Sequence, residues 1–303
     1  MTIYCGVDFH ARSQTIAYCD AQNGELHSAV LHHSKDDVRA FYSQLTGEVV
    51  VGLEASGYTP WFECLLGDLG HEVWLGDPAE MRRLARRRQK TDRKDAELIL
   101  DILLRGDFPK LHRPSPDSQL ILSQLRYRSR LVKIRTIAKN NLHALAMRAG
   151  LSAKAKLFTA AGRQKLASLP LSTATTLQRR HWLDLIRQLD AQVKEVDGWL
   201  KQQAAADANV TLLQTHPGIG MLTALALAHT LAPVSRFRNG RKVAAYLGLE
   251  PMERSSGEKK RYLGISKAGS SLMRHLIVEA AHVAIRTDPQ LKGFYLRLAK
   301  KKG

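Results

Sequence analysis

Ile3-Tyr4-Cys5-Gly6-Val7-Asp8 and Val49-Val50-Val51-Gly52-Leu53-Glu54 are two short apolar runs, each closed by a carboxylate. Runs of this length and composition read as buried strands. Ligands of open α/β sheets bind beyond the carboxyl ends of the strands, so two such strands side by side would bring Asp8 and Glu54 together. Outward from this pair, Thr15 to Cys19 reads as another strand, and Asn23-Gly24 as a hairpin turn into Leu26 to Leu31. Lys35 to Leu45 and Trp61 to Leu69 read as helices, and Glu72 to Leu75 as a short strand. Residues 1–110 are therefore expected to form an α/β domain with a mixed sheet.

A second pair of carboxylates, Asp92 and Asp95, opens an apolar-periodic helix, and a spacing of three puts both on one face. Four such oxygen donors suit hard divalent cations, and two ions can activate a nucleophile and stabilise a leaving oxygen in phosphoryl transfer. The plain alternative is capping and solvation, since Asp92 follows Thr91 at a helix start. His10, two residues beyond Asp8, is close enough to touch a phosphate or water. A packed or hydrogen-bonded structural histidine is its expected role.

The chain carries 46 Lys and Arg against 28 Asp and Glu, a formal net charge of +18, which makes nucleic acid the expected partner. A membrane surface is the competing partner, disfavoured because no apolar run has transmembrane length. Arg82, Arg83, Arg86, Arg87, Arg88 and Lys90 crowd the approach to Asp92 and suit a phosphate-binding rim, though a solvated charged face is the usual fate of such a run. Cys5, Cys19 and Cys64 show no close pairing, as in a reduced, cytoplasmic protein. The twelve histidines form no tight set with cysteine, which argues against zinc. Trp61, Trp74, Trp182 and Trp199 are expected in cores or helix interfaces.

Pro109, Pro114 and Pro116 mark a boundary, and a helical coiled-coil or oligomerisation region is expected over 111–205. Its first helix, from Asp117 to Arg148, carries an apolar stripe of Leu131, Ile134, Ala138, Leu142 and Leu145. Its second, from Thr175 to Gln203, carries Ile186, Leu189, Val193, Val196 and Leu200, the seam of a short coiled coil or helical hairpin. Residues 150–172 between them read as a loop-rich crossing. The last part, 206–303, reads as mostly helical. Pro217-Gly218-Ile219-Gly220 there resembles a helix-hairpin-helix turn, in which Gly218 and Gly220 would face a phosphate; a simple helix connector is the equal alternative.

Arg254-Ser255-Ser256-Gly257-Glu258-Lys259-Lys260-Arg261, followed by Ser266-Lys267-Ala268-Gly269, is the second chemical signal. A serine beside glycine among cations has the composition of a nucleophile whose phosphate oxygens are stabilised, with Lys259, Lys260, Arg261 and Lys267 as the cations. A polar surface loop has the same composition.

Taken together, Gly6-Val7-Asp8, Leu53-Glu54-Ala55-Ser56-Gly57, Thr91-Asp92-Arg93-Lys94-Asp95-Ala96, Pro217-Gly218-Ile219-Gly220, Phe237-Arg238-Asn239-Gly240-Arg241, Ser256-Gly257 and Ile265-Ser266-Lys267-Ala268-Gly269 resemble the insertion-sequence one-ten family of DEDD transposases, relatives of the Piv DNA invertases. The resemblance covers nearly the whole chain. It implies a RuvC-like domain of ribonuclease-H fold, a helical coiled-coil middle and a mainly α C-terminal transposase domain. By position, the catalytic tetrad is Asp8, Glu54, Asp92 and Asp95, holding two Mg2+ ions for which Mn2+ can substitute, and the nucleophile is Ser256. The resemblance further implies donor and target DNA as substrates, a non-coding bridge RNA as guide, and a homodimer or homotetramer. Members of that family usually continue with a further helical stretch beyond Lys301-Lys302-Gly303. The rival readings are a RuvC-like nuclease or junction resolvase with water as nucleophile, and a non-catalytic nucleic-acid scaffold.

The arginine run is directly testable. Replacing Arg86, Arg87 and Arg88 by Ala is expected to weaken nucleic-acid binding whatever the sequence, and to flatten its log-log salt dependence by roughly one unit per lost phosphate contact. An unchanged slope would leave these side chains as a solvated face.

Overall fold

Burial along the first strand decides the layering of the N-terminal unit. In β1 (Thr2–Phe9), Ile3, Cys5 and Val7 are buried on one face, while Tyr4, Gly6 and Asp8 alternate onto the other. β4 (Glu48–Glu54) has the same pattern, with Val49, Val51 and Leu53 opposed to Val50, Gly52 and Glu54. Both strands are therefore covered on two sides. The computed structural model describes residues 2–33, 36–84, 91–151, 156–253 and 262–302. Two compact units, Met1–Arg113 and Pro114–Gly303, are taken in turn.

In the first unit β2 (Ser13–Asp20) and β3 (Leu26–His32) complete an antiparallel meander with β1, and β4 and β5 (Glu72–Gly76) add in parallel. The order β3-β2-β1-β4-β5 is that of a ribonuclease-H-like, RuvC-like sheet. The turn into β3 is as expected. Gly24 sits at φ +68°, a region glycine enters without penalty, and Asn23 Oδ1 accepts from the Glu25 N–H at 2.9 Å. Two parallel crossovers need helices, and α1 (Asp37–Gln44) and α2 (Pro60–Asp68) supply them. Val38, Tyr42, Phe62 and Leu66 from these helices pack on the Ile3-Cys5-Val7 face.

The opposite face is covered by α4 (Asp92–Leu104), which follows the short α3 (Pro78–Leu84). Ala96 and Leu100 meet Tyr4, Ala17 and Cys19, while Ile99, Ile102 and Leu103 meet Val50. Glycine sets how close α4 comes. A Cβ on Gly6 would lie 2.4 Å from both the Ala96 carbonyl oxygen and the Leu100 nitrogen, and one on the neighbouring Gly52 would lie 2.7 Å from Leu103. The helix backbone thus rests directly on β1.

The second unit is mostly helical, built on a long hairpin of α5 (Pro116–Arg148) and α7 (Thr173–Ala206). Ile186, Leu189, Val193 and Leu200 are buried as the seam predicted, and Leu189 and Val193 pack on Leu131 of α5. That seam is filled within one chain. Ile134 departs from the expected stripe: it is 44% exposed, and the buried α5 positions are Ser118, Ile121, Leu125, Leu131, Ala138, Leu142, Leu145 and Ala146. Two arginines of α5 cross the hairpin. Arg128 donates Nε and Nη2 to Asp197, and Arg135 Nη1 donates to Asp190 at 2.8 Å. Residues 150–172, expected as loop, include α6 (Ala160–Ala167), whose Leu166 is buried with Leu157 against Leu142 and Ile186. Its eight residues are too few to show periodicity.

α8 (Ala208–Gln214), α9 (Met221–Leu231), α10 (Gly240–Tyr246) and α11 (Ser271–Thr287) follow, with α12 (Pro289–Lys302) last. Val210, Ala224, Leu225 and Met273 share one core with Ile121, Leu125 and Leu200 of the hairpin. The end of the chain is mostly helical, as expected, and also holds an antiparallel pair, β6 (Pro251–Glu253) and β7 (Tyr262–Ile265). No helix among the described residues is long and apolar enough to cross a membrane.

The close approach at Gly6 makes a prediction. Gly6→Ala is expected to destabilise the chain by about 1–3 kcal/mol, because backbone must move to admit the methyl group. Gly67→Ala in α2, where nothing lies within 4 Å, is expected to be neutral or to stabilise by up to about 1 kcal/mol. Denaturant unfolding of the two variants decides it; equal midpoints would mean that α4 is not held by the glycine.

Candidate metal centre and nucleic-acid interface

The contact at Gly6 also aims the carboxylates. Two residues further along β1 comes Asp8, on the same face as Gly6, and one turn back along α4 from Ala96 comes Asp92. Glu54 ends β4 one strand over, since Val7 and Leu53 are register partners in the parallel pair. The helix is capped by Thr91, whose side chain accepts from the Lys94 N–H, so Asp92 is not needed as the cap. Asp92 and Asp95 both lie in the first turn, where the helix dipole favours negative charge.

The tightest cluster among the described residues is Asp8, His10 and Asp92, whose donor atoms all lie within 4.8 Å of one another. His10 Nε2 is 3.1 Å from Asp8 Oδ2 and 3.6 Å from Asp92 Oδ2. His10, expected as a packed or hydrogen-bonded structural residue, is not packed: its side chain is 51% exposed and stands between two carboxylates. The signal was its place two residues after a strand-end aspartate. Asp95 acts on Asp8 through its charge. Glu54 is turned toward Arg82, whose Nη2 is 3.7 Å from Oε1, so one residue expected at the phosphate rim faces one expected at the metal. Both side chains are at least half exposed, and such a pair is worth little in water. Arg83 pairs with Glu80.

Burial is the main cause that lifts the Asp8 carboxyl above the ordinary carboxylate range; His10 opposes it, and the charges of Asp95 and Asp92 add to it. Its Oδ2 is buried without an aligned hydrogen bond. A carboxyl raised in this way binds its proton more tightly when folded, so stability is lost as pH rises from the ordinary range through the raised one. At neutral pH the ionised cluster is strained by its own charge. A buried, unsatisfied carboxylate oxygen facing further carboxylates is the donor set that a divalent cation relieves, so the residues fit such an ion.

In the second unit, Ser256 lies outside the described residues, between β6 and β7 in the chain. Arg86, Arg87, Arg88, Lys90, Lys259, Lys260 and Arg261 lie outside them too. Lys267 is described, exposed, and held at φ +56°, an uncommon conformation for a residue with a Cβ. The backbone there is over-determined. A Cβ on Gly248 would lie 2.1 Å from the Ala268 carbonyl oxygen, and Arg274 Nη1 donates to the carbonyls of Leu247, Ala268 and Gly269. Arg274 is thereby a clamp on this loop. Gly218 takes φ +85° and packs against α11, where a Cβ would meet the Ala280 carbonyl oxygen at 2.2 Å, whereas Gly220 has open space around its Cα and begins α9. Trp61, expected in a core, is 43% exposed and sets its ring edge-on to His33.

A ribonuclease-H-like sheet with strand-end and helix-start carboxylates defines a metal-dependent nucleic-acid enzyme of the DEDD type. Residues 5–149 match the IS110 DEDD family model described as Transposase, and residues 210–296 match that described as Transposase IS116/IS110/IS902 family. The chain is 31% identical over 256 residues to a probable family 20 transposase of Pseudomonas aeruginosa, covering 82% of this chain and 75% of that protein. It is 29% identical over 257 residues to the transposase for insertion sequence element IS1111A of Coxiella burnetii, covering 82% and 70%. It is also 27% identical over 239 residues to the pilin gene-inverting protein of Moraxella lacunata, covering 76% and 66%. The chain belongs to the IS116/IS110/IS902 family of transposases. It is a DNA transposase or recombinase of an insertion sequence, with DNA as substrate and divalent metal in its chemistry.

The buried charge of Asp8 gives the centre a stability signature. Without divalent ions at neutral pH, Asp8→Asn is expected to raise the thermal midpoint of unfolding, by roughly 2 °C for each kcal/mol of burial and like-charge cost relieved. Added Mg2+ or Mn2+ should raise the midpoint of the wild type but not of the variant, and the variant should lose strand cleavage. A variant that still cleaves at the normal rate would count decisively against the assignment.

Proposed function

We propose that this transposase cuts and rejoins donor and target DNA through a covalent phosphoserine at Ser256, guided by a bridge RNA, with Mg2+ held by Asp8, Glu54, Asp92 and Asp95. The observation that carries the metal part is the convergence of Asp8 and Asp92 around a buried carboxylate oxygen that lacks an aligned hydrogen bond. When bound, the ions supply Lewis-acid stabilisation of the charge that develops on the scissile phosphate.

The chain's own groups account for the remainder. The Ser256 hydroxyl loses its proton, its oxygen bonds to phosphorus, and one bond from phosphorus to a deoxyribose oxygen breaks, releasing a DNA hydroxyl. The freed hydroxyl of the other DNA reverses the exchange. No nucleotide cofactor is required, since the serine ester keeps the phosphodiester energy. Lys259, Lys260, Arg261 and Lys267 are suited to the phosphate oxygens, and Arg82, Arg83, Arg86, Arg87, Arg88 and Lys90, with the Gly218 and Gly220 turn, to nucleic-acid backbone. Support for the serine comes from the matched transposase region over 210–296 and from the clamped loop at Lys267.

Guide pairing suits a chain of net charge +18, because backbone contacts position a nucleic acid while base pairing selects the sequence. A homodimer or homotetramer, in which the carboxylates of one subunit act with the serine of another, fits the same reading. The outcome, insertion or inversion, then depends on which DNA ends the guide brings together.

Ser256→Ala is expected to keep folding and DNA binding yet to form no denaturation-resistant protein–DNA adduct and no recombinant product, while Ser255→Ala keeps measurable activity. Adduct formed by Ser256→Ala but not by Ser255→Ala would move the nucleophile one residue earlier. Normal recombination by both, and by the double variant, would hand the nucleophile's role to water.

A further inference from the structure

His10 is built into the turn that closes β1 onto β2. Its backbone N–H donates to the Ser13 carbonyl oxygen at 2.9 Å, which fixes the residue beside the strand end. From there the imidazole presents Nε2 to both Asp8 Oδ2 and Asp92 Oδ2, at 3.1 and 3.6 Å. These contacts do not behave as a pair of hydrogen bonds. Asp8 Oδ2 has no aligned donor, and 3.6 Å is too long for one at Asp92. The spacings are those of a His–carboxylate ion pair and equally suit ligands that share an ion. Two donors on adjacent octahedral positions about 2.1 Å from a small divalent cation stand about 3 Å apart, and opposite ones about 4.2 Å. The three donor atoms lie within 4.8 Å of one another, close to this range before any ion draws them in.

We propose that His10 supplies a nitrogen donor to the divalent ion shared by Asp8 and Asp92, and that this makes the centre favour Mn2+ over Mg2+. The proposal rests on the reading that these carboxylates hold the ion. Mg2+ is a hard cation that takes oxygen and keeps its water, whereas Mn2+, although it too favours oxygen and is the weakest imidazole binder of the first-row ions, gives up water for a nitrogen donor more easily than Mg2+. An all-carboxylate centre would discriminate weakly between Mg2+ and Mn2+. One imidazole in the first ligand set adds a term that Mn2+ gains and Mg2+ does not. The His10 ring is itself half exposed, so an ion held by it would lie near the solvent side.

The test uses the full chain as wild type, His10→Ala and Asp8→Asn, each checked for folding by circular dichroism. Mn2+ binding is titrated by the electron paramagnetic resonance of the free ion, Mg2+ is measured as competitor, and nitrogen coupling to bound Mn2+ is read by pulsed resonance. The expected result is a nitrogen coupling in the wild type that His10→Ala removes, with Mn2+ affinity falling about ten-fold and Mg2+ affinity changing less than about three-fold. Bound Mn2+ without nitrogen coupling, and with equal affinity in wild type and His10→Ala, would overturn the role of His10 while leaving the carboxylate centre standing if Asp8→Asn abolishes binding. Undiminished Mn2+ binding by Asp8→Asn as well would overturn the carboxylate centre itself.

Discussion

The contact of the α4 backbone with β1 at Gly6 is the constraint on which the carboxylate-bearing end of the N-terminal unit depends. A strand and a helix ordinarily meet through side chains, which hold their backbones apart. Here one side chain is missing, and the Ala96 carbonyl and the Leu100 nitrogen occupy the place of its Cβ. Because Gly6 and Asp8 share a face, and Ala96 and Asp92 lie one turn apart, the approach that glycine allows brings two carboxylates to one point. Gly52 on the neighbouring strand continues the same shallow groove under Leu103.

That convergence opposes stability. Asp8 is partly buried, its Oδ2 lacks an aligned hydrogen bond, and Asp92 and Asp95 add like charge, which a folded chain tolerates only if packing elsewhere compensates. The opposite face of the sheet provides the compensation, with Cys5, Val7, Leu53, Tyr42, Phe62 and Leu66 all fully buried. Under the proposed function, a cation held by these carboxylates would return part of that cost.

The C-terminal unit uses charge in the opposite way. Arg128 and Arg135 are neutralised across the α5–α7 hairpin by Asp197 and Asp190. Arg128 meets its partner through two nitrogens and Arg135 through one, and both contacts favour a single register of the two helices. Part of the positive charge that makes this chain a nucleic-acid protein is therefore structural. Arg274 is spent likewise on three backbone carbonyls, fixing the loop that bears Lys267.

Local pattern alone determined a good deal. Strand ends at Asp8 and Glu54, a capped helix start carrying Asp92 and Asp95, the Asn23-Gly24 turn and the two long helices are readable because each is set by residues within one turn or one strand of each other. The family blocks were legible for the same reason. What tertiary structure decided was which neighbours those residues meet. Nothing local says that His10 stands between Asp8 and Asp92, that Glu54 meets Arg82, that Ile134 faces outward while Leu131 does not, or that Gly218 is required by Ala280. Each of those outcomes follows from contacts between segments far apart in the chain, whose distances are fixed by close packing of backbone and core and carry no signature in either segment taken alone.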